Sequence, residues 1–139
     1  MLHVKKPDRI VAAAAVIVAL ALTIGLMVNS FRPPRFSEIS RIDVVSAFYF
    51  DVTSEAQKEL HIGEEALKRE ISTCEFGRIR PPSGPYSLET YPYEINFIYD
   101  NRPWHIVLGP DGWVYKSGDQ KGWYIKNPEA LLNLLANAR

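Results

Sequence analysis

The sequence predicts an α+β fold behind one transmembrane helix: a small domain whose antiparallel meander sheet packs against two helices. Three observations carry that expectation. Ile10–Val28 runs nineteen residues without a charge. Tyr93, Ile95, Phe97 and Tyr99 alternate with Glu94, Asn96, Ile98 and Asp100, the period-two pattern of a half-buried strand. Leu67, Ile71 and Cys74, and then Leu131, Leu134 and Leu135, recur at helical spacing.

Taken in order, residues 1–9 form a basic tail, with Lys5, Lys6 and Arg9. Residues 10–28 form the membrane helix, for which ~1.5 Å per residue gives about 28 Å, close to the hydrocarbon thickness of a bilayer. A cleaved signal peptide is the competing reading. The apolar run exceeds the ~7–15 residues usual for a signal core. Its end, Gly25-Leu26-Met27-Val28-Asn29-Ser30, offers no A-x-A site and no cysteine for lipidation. An uncleaved signal-anchor is therefore expected. Basic residues before the helix (Lys5, Lys6, Arg9) tie with those after it (Arg32, Arg35, Arg41), so flanking charge does not set the orientation. The brief tail is expected to stay in the cytoplasm, which puts the domain on the outer side of the plasma membrane. The bilayer is thus the first partner, through Ile10–Val28.

Residues 29–35 are a Pro-containing juxtamembrane linker, and residues 36–139 make one domain. In the domain, Ile39–Phe50 is rich in β-branched and aromatic residues and reads as a strand, with a bulge where alternation slips at Val44-Val45. Lys58–Ile62 reads as a second, short strand. A helix starting at Ser54, with Gln57 completing a capping box, competes with it. Gly63 caps the next helix, which has Glu64 and Glu65 in its first turn and an inner stripe of Leu67, Ile71 and Cys74. Phe76–Pro85, with three prolines and two glycines, is expected to be a loop and carries Arg78 and Arg80. The meander follows: Tyr93–Tyr99, a turn at Asp100–Pro103, then Trp104–Leu108. Gly109-Pro110-Asp111-Gly112 is read as a hairpin with glycine at positive φ, leading to Trp113–Lys116 and Trp123–Ile125. Asn127 is expected to cap a terminal helix with Pro128 in its first position.

The chain has no net charge, yet residues 36–139 hold eleven Lys/Arg against fifteen Asp/Glu and so carry −4. An acidic domain argues against nucleic acid, whose binding depends on a basic face that displaces counterions. Cys74 is the only cysteine, so no disulfide forms within the chain. On the inner stripe of a helix it reads as an inert core thiol rather than a nucleophile. His3, His61 and His105 are scattered, and no H-x-x-x-H, C-x-x-C or H-E-x-x-H occurs, so no metal and no cofactor is expected. No phosphate loop is present, since Gly109-Pro110-Asp111-Gly112 has a proline where N–H donors are needed.

Literal alternation assigns Tyr93, Ile95, Phe97, Tyr99, Trp104, Ile106, Leu108, Trp113, Tyr115, Trp123 and Ile125 to the core. Glu94, Asn96, Ile98, Asp100, His105, Val107, Val114, Lys116, Tyr124 and Lys126 then fall on the outer face. His105, Tyr124, Asn96 and Lys116 on that face, with Arg78 and Arg80 on the expected loop, are the candidate binding residues. No catalytic residue is assigned. The order of a first strand (Ile39–Phe50), a short strand and helix (Ile62–Cys74), a meander with Tyr93–Tyr99 and a Leu-rich terminal helix resembles small, uncharacterised bacterial membrane-anchored or lipoprotein domains. That resemblance implies an extracytoplasmic α+β module and transfers no active site. The expected function is a membrane-anchored binding module with a protein partner in the membrane or envelope, and no enzyme. The alternatives are an envelope enzyme, a carbohydrate binder using the tryptophans, or an accessory subunit acting through its membrane helix.

Overall fold

A computed structural model describes residues 9–80, 87–119 and 122–139, with no side chain given for Val44, Ile79 and Arg80. The basic tail as far as residue 8 and the breaker residues 81–86 thus lie outside the described residues. The chain divides into two compact units, Met1–Arg32 and Pro33–Arg139.

The first unit is a helix, α1 (Arg9–Ser30), none of whose residues is buried by the protein. It is long and apolar enough to cross a membrane. Its hydroxyls are satisfied within the helix, Thr23 Oγ1 donating to the Ala19 carbonyl at 2.8 Å and Ser30 Oγ to that of Leu26 at 2.9 Å. Such self-contained bonding suits a helix in a medium that offers no water.

The second unit is α+β. Its elements run β1 (Ile42–Asp51), β2 (Ala56–Leu60), α2 (Glu64–Thr73), β3 (Phe76–Arg80), β4 (Tyr93–Tyr99), β5 (Arg102–Leu108), β6 (Gly112–Lys116), β7 (Gly122–Ile125) and α3 (Glu129–Asn137), after a 3₁₀ turn at Ile39–Arg41. The strands form one antiparallel sheet in the order β2-β1-β4-β5-β6-β7-β3. The slip in alternation at Val44-Val45 is a real irregularity, since pairing of β1 with β4 shifts between Asp43 and Ser46. β2 forms as a strand, two residues earlier than expected, and the competing helix from Ser54 does not form.

Three expectations need correction. Phe76–Arg80 is a strand at the sheet edge, paired with β7 through Phe76↔Ile125 and Ile79↔Trp123. Burial of Phe76 against Phe36 outweighs the loop signal of the prolines beyond it. Asn127 does not cap α3, whose first residues have no side-chain cap. It turns instead to the end of α2. The glycines of the β5–β6 hairpin are not left-handed: among the described residues only Gly118 is, at φ 85°. A Cβ on Gly109 would fall 2.0 Å from the Thr90 carbonyl oxygen, and one on Gly112 would fall 2.9 Å from Ile125 Cδ1. Close approach to a backbone oxygen, rather than backbone twist, requires glycine at 109, while at 112 a Cβ would press on the buried Ile125 side chain. The β4–β5 turn does use left-handed residues, Asp100 at φ 52° and Asn101 at φ 59°. Two such residues make the tight turn whose twist matches an antiparallel pair.

Both helices of this unit pack on one face of the sheet. Leu67 and Ile71 of α2 and Leu131 and Leu135 of α3 join Ala47, Tyr49, Tyr93, Ile95, Phe97, Ile106, Leu108, Val114, Trp123 and Ile125 in one core. Phe36 closes its lower end, 2% exposed. Its ring meets Phe76, Phe97, Tyr99 and Trp104 edge-on, with centroids 5.0 to 5.3 Å away. Edge-to-face contact places ring hydrogens against neighbouring π clouds and adds to the burial itself.

Candidate functional site

The site begins with register. The three-residue connection at residues 109–111 pairs Leu108 with Gly112, so Ile106 faces Val114, His105 faces Tyr115 and Val107 faces Trp113. Opposed residues share a face. Val114, fully buried, therefore belongs to the core. Trp113 and Tyr115 move to the outer face, against the expectation from literal alternation. Lys116, paired with Trp104, goes to the helix-covered side and leaves the set it was assigned to.

Once corrected, the outer face shows two rows across the sheet. One runs Phe48, Glu94, Val107, Trp113, Tyr124 by direct pairing. Val107 is 6% exposed although it lies outside the main core, being covered by its row. Trp113 and Tyr124 are tilted neighbours with ring centroids 5.9 Å apart, and Tyr124 remains 38% exposed. Gly77 of β3 leaves room for this tyrosine, because a Cβ there would fall 2.7 Å from its ring.

The second row runs Ser46, Asn96, His105, Tyr115. His105 Nδ1 contacts Asn96 Oδ1 and lies 3.6 Å from Glu94 Oε1. On its other side, Nε2 is 3.2 Å from Ser117 Oγ. The imidazole stacks on the Tyr115 ring, 5.4 Å between centroids at 28°. Gln57 Nε2 of β2 donates to Glu94 Oε2 at 3.3 Å. Five polar side chains, from β2, β4, β5 and the turn after β6, are thus joined in one continuous chain of contacts.

Of the expected site residues, the structure brings together His105 and Asn96, and places Tyr124 on the same face. Arg78 is exposed on edge strand β3, not in a loop, and the Arg80 side chain lies outside the described residues. Glu94, Ser117, Trp113 and Tyr115 were not among the expected site residues. Glu94 follows from the alternation of β4, and the signal that finds Ser117, Trp113 and Tyr115 is the pairing parity of the hairpin at residues 109–111.

A cleft of about 570 Å³ lies beside the start of the second unit, between Arg35, Ser37, Ser72, Glu75 and Lys126. The Cys74 thiol lines one wall and donates to the Glu70 carbonyl at 3.3 Å. Burial, reinforced by the Glu70 charge, pushes that thiol up to about 12. It is therefore protonated at neutral pH and poorly nucleophilic. Cys74 follows α2 rather than lying within it, and its backbone is already extended at φ −64°, ψ 134°. Among the described residues no three His, Cys, Asp or Glu side chains group as a metal site.

No protein-family model matches this chain, and no curated protein or solved structure matches it.

Proposed function

We propose that this chain is a single-pass, membrane-anchored recognition module, its α+β domain on the outer side of the plasma membrane and its partner a protein of the same membrane or envelope. The observation that carries the reading is the outer sheet face. Exposed and half-buried aromatics (Tyr124, Trp113, Tyr115) alternate there with hydrogen-bonding side chains (Asn96, His105), while both helices of the domain pack on the opposite face. Aromatic anchors ringed by polar groups are the composition of protein-recognition centres. The 53° tilt between the Trp113 and Tyr124 rings does not make the flat platform that suits a polysaccharide chain. Anchoring through α1 would confine the module and a membrane partner to one surface, raising their effective concentration so that a modest face suffices.

Replacing His105 and Tyr124 together with alanine should abolish recovery of a cross-linked partner from membranes while leaving the near-UV circular dichroism of the domain unchanged. Retention of the partner by the folded double variant would refute the reading. Protease digestion of the domain in intact cells tests the side: cleavage without permeabilisation fits the outer location, and protection until the membrane is opened reverses it.

A further inference from the structure

The outer face also holds a side-chain amide, an imidazole and a hydroxyl in sequence, Asn96, His105 and Ser117. A side-chain carbonyl can only accept a hydrogen bond, so Asn96 Oδ1 against Nδ1 of His105 places the proton on that nitrogen, with the Glu94 carboxylate nearby at 3.6 Å. Nε2 then carries the lone pair, and it is the atom 3.2 Å from Ser117 Oγ. Tyr115 holds the ring plane by stacking, and Gln57 holds Glu94 from its far oxygen. Ser117 is itself fixed, its N–H donating to the Pro103 carbonyl at 2.9 Å, yet it is exposed to solvent. Gly118 follows at φ 85°, and its N–H has no acceptor among the described residues. An amide next to a nucleophile is the kind of donor that stabilises a developing oxyanion.

We propose that Ser117, His105 and Asn96 form an acyl-transfer relay acting on carboxylic esters, with Ser117 as nucleophile, His105 as general base and Asn96 as positioning residue. His105 Nε2 takes the Ser117 proton as Oγ bonds to the acyl carbon, and the imidazolium returns that proton to the departing alcohol as the ester C–O bond breaks. Water, deprotonated by Nε2, then attacks the acyl carbon. The C–Oγ bond breaks, Ser117 recovers its proton, and a carboxylic acid leaves. Ser117 is exposed, so an ester reaches it without entering a cavity. This activity does not depend on the partner-recognition reading above.

The test uses the full chain in detergent micelles, treated with an aryl fluorophosphonate and read by intact mass and peptide mapping, with p-nitrophenyl acetate turnover in parallel. One adduct on Ser117 is expected, absent in Ser117→Ala and slowed about a hundredfold or more in His105→Gln. Asn96→Ala should lower kcat for p-nitrophenyl acetate with KM unchanged, a split that a merely structural asparagine would not produce, and Asn96→Asp, which keeps the acceptor, should restore part of it. No adduct on Ser117, an adduct only elsewhere, or equal labelling rates in wild type and a His105→Gln variant shown to be folded by circular dichroism would each overturn the proposal.

Discussion

The Asn127 side-chain carbonyl accepts the backbone N–H of Glu75 at 3.0 Å, while its Nδ2 reaches the Thr73 carbonyl at 3.5 Å. One amide therefore bridges the chain entering α3 to the chain leaving α2, fifty-two residues earlier. Lys126, next to it, donates its backbone N–H to the Glu75 carbonyl at 2.9 Å. Together they hold β3 in place at the sheet edge. Asn127→Ala should cost about 1–1.5 kcal/mol in denaturant unfolding, the usual net value of a hydrogen bond. Asn127→Asp, which keeps the acceptor and loses the donor, should cost less.

Phe36→Ala is expected to be the more damaging change, at about 3–5 kcal/mol, because it empties a ring-sized space among four aromatics. Phe36→Leu refills part of that space and should recover about half of the loss. Urea denaturation of both variants, at constant slope, checks this. A loss under 1 kcal/mol for alanine would mean that the cluster collapses freely around the gap.

Asp51 sits at the end of the β1–β2 hairpin, its carboxylate 2.7 Å from Lys58 Nζ and 3.0 Å from the Thr53 N–H it accepts. The Lys58 bond, followed by the Thr53 bond, holds its pKa down, at about 2 against an ordinary 3.8. The sign follows from the depressed value. The stabilising contribution is complete above pH 3.8 and is lost as pH falls toward 2. An NMR carboxyl titration should show the low midpoint, and Lys58→Ala should raise it.

Cys74 has the opposite behaviour. Its raised pKa means that the folded state favours the protonated thiol, so stability is unaffected below about pH 9 and declines as pH rises toward 12. Reaction with a thiol reagent at neutral pH should be slow in the native chain and fast once it is denatured. Cys74→Ser should flatten the alkaline decline in a melting series.

Gly109→Ala should destabilise the β5–β6 hairpin, since its Cβ would meet a backbone oxygen that no rotamer change can move. A lowered melting temperature with the β4 and β5 amide signals shifted would confirm it. Gly118→Ala, by contrast, meets open space, and its cost comes only from the left-handed backbone.

How far these features were legible follows from where the information lies. β4 was readable because its own alternation is strict, even though β1 beside it carries a register shift between Asp43 and Ser46. α2 and α3 were readable from Leu67, Ile71, Leu131 and Leu135, a stripe that needs no knowledge of the sheet. β3 was not, because Phe76 is drawn into the sheet by Phe36 and Ile125, residues distant in sequence. The candidate site was half visible. His105 and Asn96 sit on adjacent strands with simple register, whereas Ser117, Tyr115 and Trp113 depend on whether the loop at residues 109–111 holds an odd or even number of residues. Pattern alone treats each aromatic as core, and only the pairing Leu108↔Gly112 decides otherwise.

Phe36, only a few residues beyond the end of α1, also decides how mechanical load enters the domain. The second unit begins at Pro33, and its first wholly buried side chain is this ring, wedged against β3, β4 and β5. Tension on the chain ahead of it is therefore delivered to three strands at once rather than peeling a single terminal strand from the sheet. The ring acts as a cleat for whatever load the chain carries, spreading it over the aromatic cluster before any backbone ladder has to yield.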